Sequence, residues 1–162
     1  MRTLVHVTHE AVHQAGGIGT VLRGLITASA YREQVQRTVL IGPLDTVPSE
    51  PLGSDGTVLY DAHAGIQTVD LAALLSPIEA KYGTRLVYGH RQLNHEGRSV
   101  AVEMVLVDTE RPPNGLDDFK YHLANEFGID SRRYEHEWEY EHYIRLSEPG
   151  YAVINALCAG DG

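Results

Sequence analysis

Only one cysteine, Cys158, occurs among the 162 residues, so no internal disulfide can form and a reducing, cytoplasmic setting is expected. No apolar run approaches the roughly 20 residues that cross a bilayer. Met1-Arg2-Thr3 leads straight into a strand pattern, with no signal-peptide h-region or cleavage site, so no membrane partner is expected. Basic residues are scarce: 13 Lys and Arg face 22 Asp and Glu, a formal net charge of −9. Such a surface repels nucleic-acid phosphates unless a basic patch is segregated. Only Arg132 and Arg133 are adjacent, so no nucleic-acid partner is expected either.

Several motifs that handle phosphates, metals and nucleophiles are missing as well. A dinucleotide fingerprint needs G-x-G-x-x-G and an acidic residue ending the second strand. Here Gly17-Ile18-Gly19 is followed by Leu22 at the third position, and the second strand closes as Leu40-Ile41-Gly42. There is no G-x-x-x-x-G-K-[ST] loop and no G-x-S-x-G elbow. Glu135, Glu139 and His142 fall at i, i+4 and i+7, but their string is not H-E-x-x-H and an acidic helical run usually faces solvent. Neither a metal nor a cofactor is expected. Cys158, in an apolar helix, reads as a buried, inert thiol.

What is present is the pattern of an α/β domain, with 43% hydrophobic residues. Residues 3–9 and 37–41 read as strands joined by a helix over 20–31 that Thr20 caps, a β-α-β unit with parallel strands. Val39-Leu40-Ile41 has the continuous apolar run of a buried parallel strand. Residues 56–60 read as a short strand. Ser76-Pro77-Ile78-Glu79 has the form of a helix start with a capping box, and the helix ends near Tyr82 before Gly83. Residues 85–89 and 99–108 read as a hairpin around Asn94-His95-Glu96-Gly97. Two helices follow, over 116–127 and 135–159. Pro149-Gly150 should kink or divide the second, and its piece 151–157, apolar nearly all round, should be buried. The expected fold is therefore α/β and Rossmann-like, a mostly parallel sheet flanked by helices, with a β-hairpin. In this pattern another strand should follow the last helix, so the chain reads as a piece of a larger protein.

The candidate site is the glycine-rich turn between the first strand and first helix. Gly16, Gly17 and Gly19 carry no Cβ, so their N–H groups can approach a ligand closely. The following helix begins with unpaired N–H groups and the positive end of its dipole, a place for a phosphate. The same glycines also suit a tight strand-to-helix turn that serves packing alone. His13 stands at the loop's start within reach of a ligand, whereas His6 and His9 read as structural. Arg23, one turn into the helix, reads either as a phosphate partner or as a surface arginine.

The stretch Gln14-Ala15-Gly16-Gly17-Ile18-Gly19-Thr20-Val21 resembles the N-terminal signature of glycogen and starch synthases. The bacterial form of that signature reads K-T-G-G-L, and the eukaryotic form, which is nearer, reads K-V-G-G-I-x-T-V. Leu40-Ile41-Gly42-Pro43, Leu106-Val107-Asp108 and Phe127-Gly128-Ile129-Asp130 extend the similarity over most of the chain, although only the glycine loop is a specific motif. Arg23 matches an arginine of the eukaryotic-type signature. The resemblance implies the N-terminal half of a GT-B fold, in which two Rossmann-like domains face each other across a cleft. Residues 1–162 would form a single truncated N-terminal domain, with the C-terminal donor-binding domain absent. The implied partners are a nucleotide sugar, ADP-glucose or UDP-glucose, and an α-1,4-glucan acceptor, with glucose transferred under retention. Gln14, Gly16, Gly17, Gly19 and Arg23 are the implied diphosphate-binding residues. Gln14 replaces the family's lysine, and the family's catalytic groups fall beyond Gly162. No catalytic residue is assigned within this chain, which by itself is expected to be inactive. A second function, from a different class, is a stand-alone α/β module that binds a phosphorylated or nucleotide ligand without catalysis.

Overall fold

The computed structural model describes residues 2–13, 16–45 and 50–159. Five strands form one sheet: β1 (Thr3–Val7), β2 (Arg37–Pro43), β3 (Gly56–Tyr60), β4 (Leu86–His95) and β5 (Arg98–Val107), in the order β1-β2-β5-β4-β3. The helices are α1 (Ile18–Thr27), α2 (Ser29–Gln34), α3 (Val69–Tyr82), α4 (Leu116–Phe127) and α5 (Trp138–Cys158). Strands β1, β2 and β5 run parallel, with Val5 opposite Val39 and Ile41 opposite Val105. The β1-α1-β2 unit thus has the parallel pairing its sequence pattern implies. The sheet as a whole is mixed, however, and not mostly parallel, because β4 pairs antiparallel with both β5 and β3. Its reason is the hairpin: Glu96 (φ 48°) and Gly97 (φ 77°) both adopt left-handed conformations, making a two-residue turn that forces β4 and β5 antiparallel. The four-residue turn expected there shrinks to these two, and the strands extend to His95 and Arg98.

Alternation along the central strands builds two cores. Val39, Ile41, Val105 and Val107 face α3 and α5, where Leu75, Leu146 and Val153 are buried. Leu40, Met104 and Leu106 point to the opposite face, against Ile26 of α1 and Ala11 and Val12 of the loop before it. A strand buried on both faces needs apolar residues at every position, which explains the continuous runs in β2 and β5.

The helix bounds depart from local sequence signals where tertiary contacts supply the caps. Helix α1 begins at Ile18 with Gly17 as N-cap, ahead of the expected Thr20. It ends at Thr27, whose Oγ1 donates back to the Arg23 carbonyl (2.8 Å), and extended Ala28 separates it from α2. Helix α3 begins at Val69, where Thr68 Oγ1 accepts from the Leu71 N–H, so Pro77 lies in its interior and Ser76 caps nothing. Ser76 and Glu79 serve the tertiary structure instead: the Tyr60 hydroxyl lies 3.1 Å from Ser76 Oγ and donates to Glu79 (2.6 Å), and Glu79 accepts from the Leu86 N–H (2.7 Å). Helix α5 starts at Trp138, three residues later than expected, and runs through Pro149 undivided. There Pro149 and Gly150 are buried, and a Cβ built on Gly150 would lie 3.8 Å from the Ile41 and Leu146 side chains, so packing on β2 holds the helix across its missing hydrogen bond. Within the piece 151–157 only Val153 and Leu157 are buried, while Tyr151 faces out. Among the described residues no helix is long and apolar enough to cross a membrane.

Candidate functional site

The parallel strands end together, Val7 beside Ile41 and Pro43 beside Val107, and the loops that follow them meet at this edge. Open α/β sheets place ligands there. The loop after β1 crosses tightly over β2: a Cβ on Gly42 would lie 2.5 Å from the Thr8 carbonyl oxygen and 2.7 Å from Ala11 Cβ. Gly42 is therefore demanded by packing.

Three of the predicted site residues, Gly16, Gly17 and Gly19, sit together at the start of α1, and Arg23 follows one turn later; Gln14 lies outside the described residues. Their roles differ. Gly19 is buried, and its N–H donates to Glu10 Oε2 at 2.7 Å. A Cβ on Gly16 would meet Glu10 Oε1 at 2.7 Å. Glu10, itself buried, is thus the cap of α1, reached from the loop and placing a carboxylate at the positive end of the helix. Gly17 is the exception: its backbone is ordinary (φ −85°, ψ −22°) and, among the described residues, nothing lies within 4 Å of where its Cβ would be. None of the described residues requires glycine there.

A cleft of about 550 Å³ opens between the loops after β2 and β5 and the first half of α5. His142 lines it, with Nδ1 2.9 Å from Thr109 Oγ1 and its ring stacked on Trp138 (4.7 Å between centroids, 20°). Burial lowers the His142 pKa below its ordinary 6.5, so the imidazole is neutral at pH 7. Arg145 donates to the carbonyls of Thr109 (3.2 Å) and Glu110 (2.9 Å) and pins the loop after β5. Glu141 accepts from Lys120 (2.8 Å) and Arg145 (3.1 Å); burial pushes its carboxyl up, but these bonds outweigh it and hold it below the usual range. Trp138 leaves 67% of its surface exposed. His9 joins α5 to the loop before α1, its Nδ1 2.6 Å from the Tyr143 hydroxyl and its Nε2 3.5 Å from Glu10. His6, on edge strand β1, hydrogen-bonds the Tyr31 hydroxyl (3.0 Å), and His13 is exposed.

Four buried side-chain nitrogens lack a hydrogen-bond partner among the described residues: the Nε atoms of Arg23, Arg91 and Arg145, and His142 Nε2. Buried polar atoms are rarely left so. Two of the four, on His142 and Arg145, belong to residues that line the cleft. The other two belong to residues that line a separate small cavity beneath α1.

No protein-family model matches this chain, and no curated protein matches it. Glu10, Arg91, Trp138 and Arg145 were not marked by the sequence. Glu10 lies nine residues before its partner Gly19, and Arg91 meets the loop across 79 residues through the bond from its Nη1 to the Val12 carbonyl (2.6 Å). Neither spacing belongs to a local motif. Among the described residues, no three His, Cys, Asp or Glu side chains converge as metal ligands.

Proposed function

We propose that this chain is the acceptor-side, N-terminal Rossmann-like half of a GT-B glucosyltransferase of the glycogen and starch synthase kind, working in the cytoplasm. In this reading a nucleotide sugar, ADP-glucose or UDP-glucose, lays its diphosphate against the turn at Gly17, and an α-glucan end enters the cleft. The observation that carries the reading is Gly17. Its torsions are ordinary and none of the described residues needs glycine there, and the close approach of something from outside accounts for it. The helix dipole and first-turn N–H groups of α1 favour an anion there, partly offset by the Glu10 carboxylate.

The cleft supports the acceptor half of the reading. The outer face of Trp138 offers an apolar platform to a sugar ring, and Thr109, His142 and Arg145 bring hydrogen-bonding groups beside it. Transfer itself needs groups from the opposing domain, so the chain alone binds without turning over. Calorimetric titration with ADP-glucose, UDP-glucose and maltoheptaose tests the proposal. Binding of one nucleotide sugar and of the oligosaccharide, without glucose transfer, is the expected result. A chain that binds none of the three, or that transfers glucose unaided, removes it.

A further inference from the structure

Strand β1 is the outer strand of the sheet, and among the described residues no strand pairs with its other side. Its bonds to β2 fix which backbone groups face outward. The Arg2 carbonyl accepts from the N–H groups of Gln36 (3.1 Å) and Arg37 (3.4 Å), and the Thr8 N–H donates to the Ile41 carbonyl (2.8 Å), so the even-numbered residues turn their backbone groups toward β2. Val5 and Val7 therefore turn theirs to the open edge. Nothing within Thr3–Val7 guards that edge: the strand holds no lysine, proline or bulge, and it is apolar on both faces, with Leu4 37% exposed on one and Val7 56% exposed on the other. Burial lowers the His6 pKa below its ordinary 6.5, so the imidazole adds no charge at pH 7.

The two ends of this edge differ in charge. Its start carries the exposed Arg2. Its far end is acidic: burial, and then the charges of Glu139 and Glu10, raise the pKa of the Tyr143 hydroxyl, which lies 2.6 Å from His9 just past the strand. We propose that β1 pairs antiparallel with β1 of a second copy of this chain, across a two-fold axis at His6, so that Val5 of each exchanges both backbone bonds with the partner's Val7. In that register Arg2 comes to the acidic end of the other copy, whereas a parallel pairing would set like ends together. The pairing joins two five-stranded sheets into one and takes Leu4 and Val7 out of water. Two five-residue strands make a small contact, so the dimer is a weak one that forms at high concentration.

Sedimentation equilibrium of the chain at neutral pH, from low micromolar to near-millimolar concentration, is the test. The mass should rise from 17.9 kDa toward twice that value as the concentration rises. Val7→Pro removes the outward N–H and keeps every bond to β2, so it should hold the chain at monomer mass with its Tm nearly unchanged. Should that variant fail to fold, Val7→Lys, at a side chain already more than half exposed, should also give a monomer. Val21→Glu, on the exposed face of α1, should leave the dimer intact. A chain that stays monomeric throughout, a dimer that survives either Val7 substitution, or one that Val21→Glu dissolves would each overturn the proposal.

Discussion

Replacing Gly17 by alanine isolates what the turn does for a ligand from what it does for the fold. The new methyl group meets none of the described residues, on a backbone that alanine adopts without strain. Two small effects on stability then oppose each other. Restricting the unfolded chain stabilises by about 0.4–1 kcal/mol, whereas alanine is a poorer N-cap than glycine by a similar amount. The net change should stay within about 0.5 kcal/mol, or roughly 2 °C in Tm for a chain of this size. Gly16→Ala is the contrasting case. Its Cβ falls 2.7 Å from Glu10 Oε1, so the carboxylate must move and gives up its bond to the Gly19 N–H. A hydrogen bond to a charged group contributes about 1.5–3 kcal/mol, and the Tm should drop by roughly 5 °C or more. Gly42→Ala should cost as much or more, because its Cβ would meet a backbone carbonyl that no rotamer change relieves. Differential scanning fluorimetry on the three variants, beside calorimetric titration with ADP and UDP, reads both quantities. Gly17→Ala should weaken binding of the preferred diphosphate about tenfold, the worth of one charge-assisted contact, at nearly unchanged Tm. A Gly17→Ala chain that loses as much stability as Gly16→Ala, or that binds diphosphate as well as the unaltered chain, would refute the reasoning.

Other substitutions test the fold and the cleft. Glu103 takes two hydrogen bonds of 2.8 Å from Arg37 and one of 2.9 Å from Tyr88, at 17% side-chain exposure. Glu103→Gln should therefore cost about 2 kcal/mol at pH 7 in urea unfolding, between the surface and buried regimes for ion pairs. Burial pushes the Glu103 carboxyl up, but the bonds from Arg37 and Tyr88 outweigh it and hold the pKa below its ordinary 4.5. Its contribution is complete above that value and is lost as pH falls through the lowered one, so the variant's acid profile should be flatter than the parent's. Burial, and then the charge of Glu103, push the Tyr88 hydroxyl up to about 12, so the site should stay intact at moderately alkaline pH, as tyrosinate absorbance would show. Trp138→Ala should uncover His142 and return its pKa toward 6.5, read by NMR titration of the imidazole, and should weaken maltoheptaose binding. Pro77 lies in the interior of α3, so Pro77→Ala should stabilise the chain by about 2 kcal/mol in urea unfolding.

The periodic parts of this protein are legible in its sequence. Strands β1, β2, β3 and β5, the span of α4, and the parallel β1-α1-β2 unit follow from apolar runs and glycine stops that act over a few residues. The glycine turn is legible for the same reason, since a strand, three glycines and a helix are local facts. What the sequence leaves open is settled by contacts between distant residues. Glu10 caps α1 from the loop before it, Ser76 and Glu79 look like a helix cap yet hold Tyr60, and packing on β2 carries α5 through Pro149. A capping signal records only that a side chain can accept a hydrogen bond, and the tertiary structure decides which donor reaches it. The two cavities belong to this second kind. Trp138 stacks on His142 beside Thr109, and Arg23 and Arg91 line one cavity, because the fold brings chain segments 33 and 68 residues apart to one place. A charge's surroundings are set by its neighbours in space, so the shared placement of Arg23 and Arg91 is visible only in the folded chain.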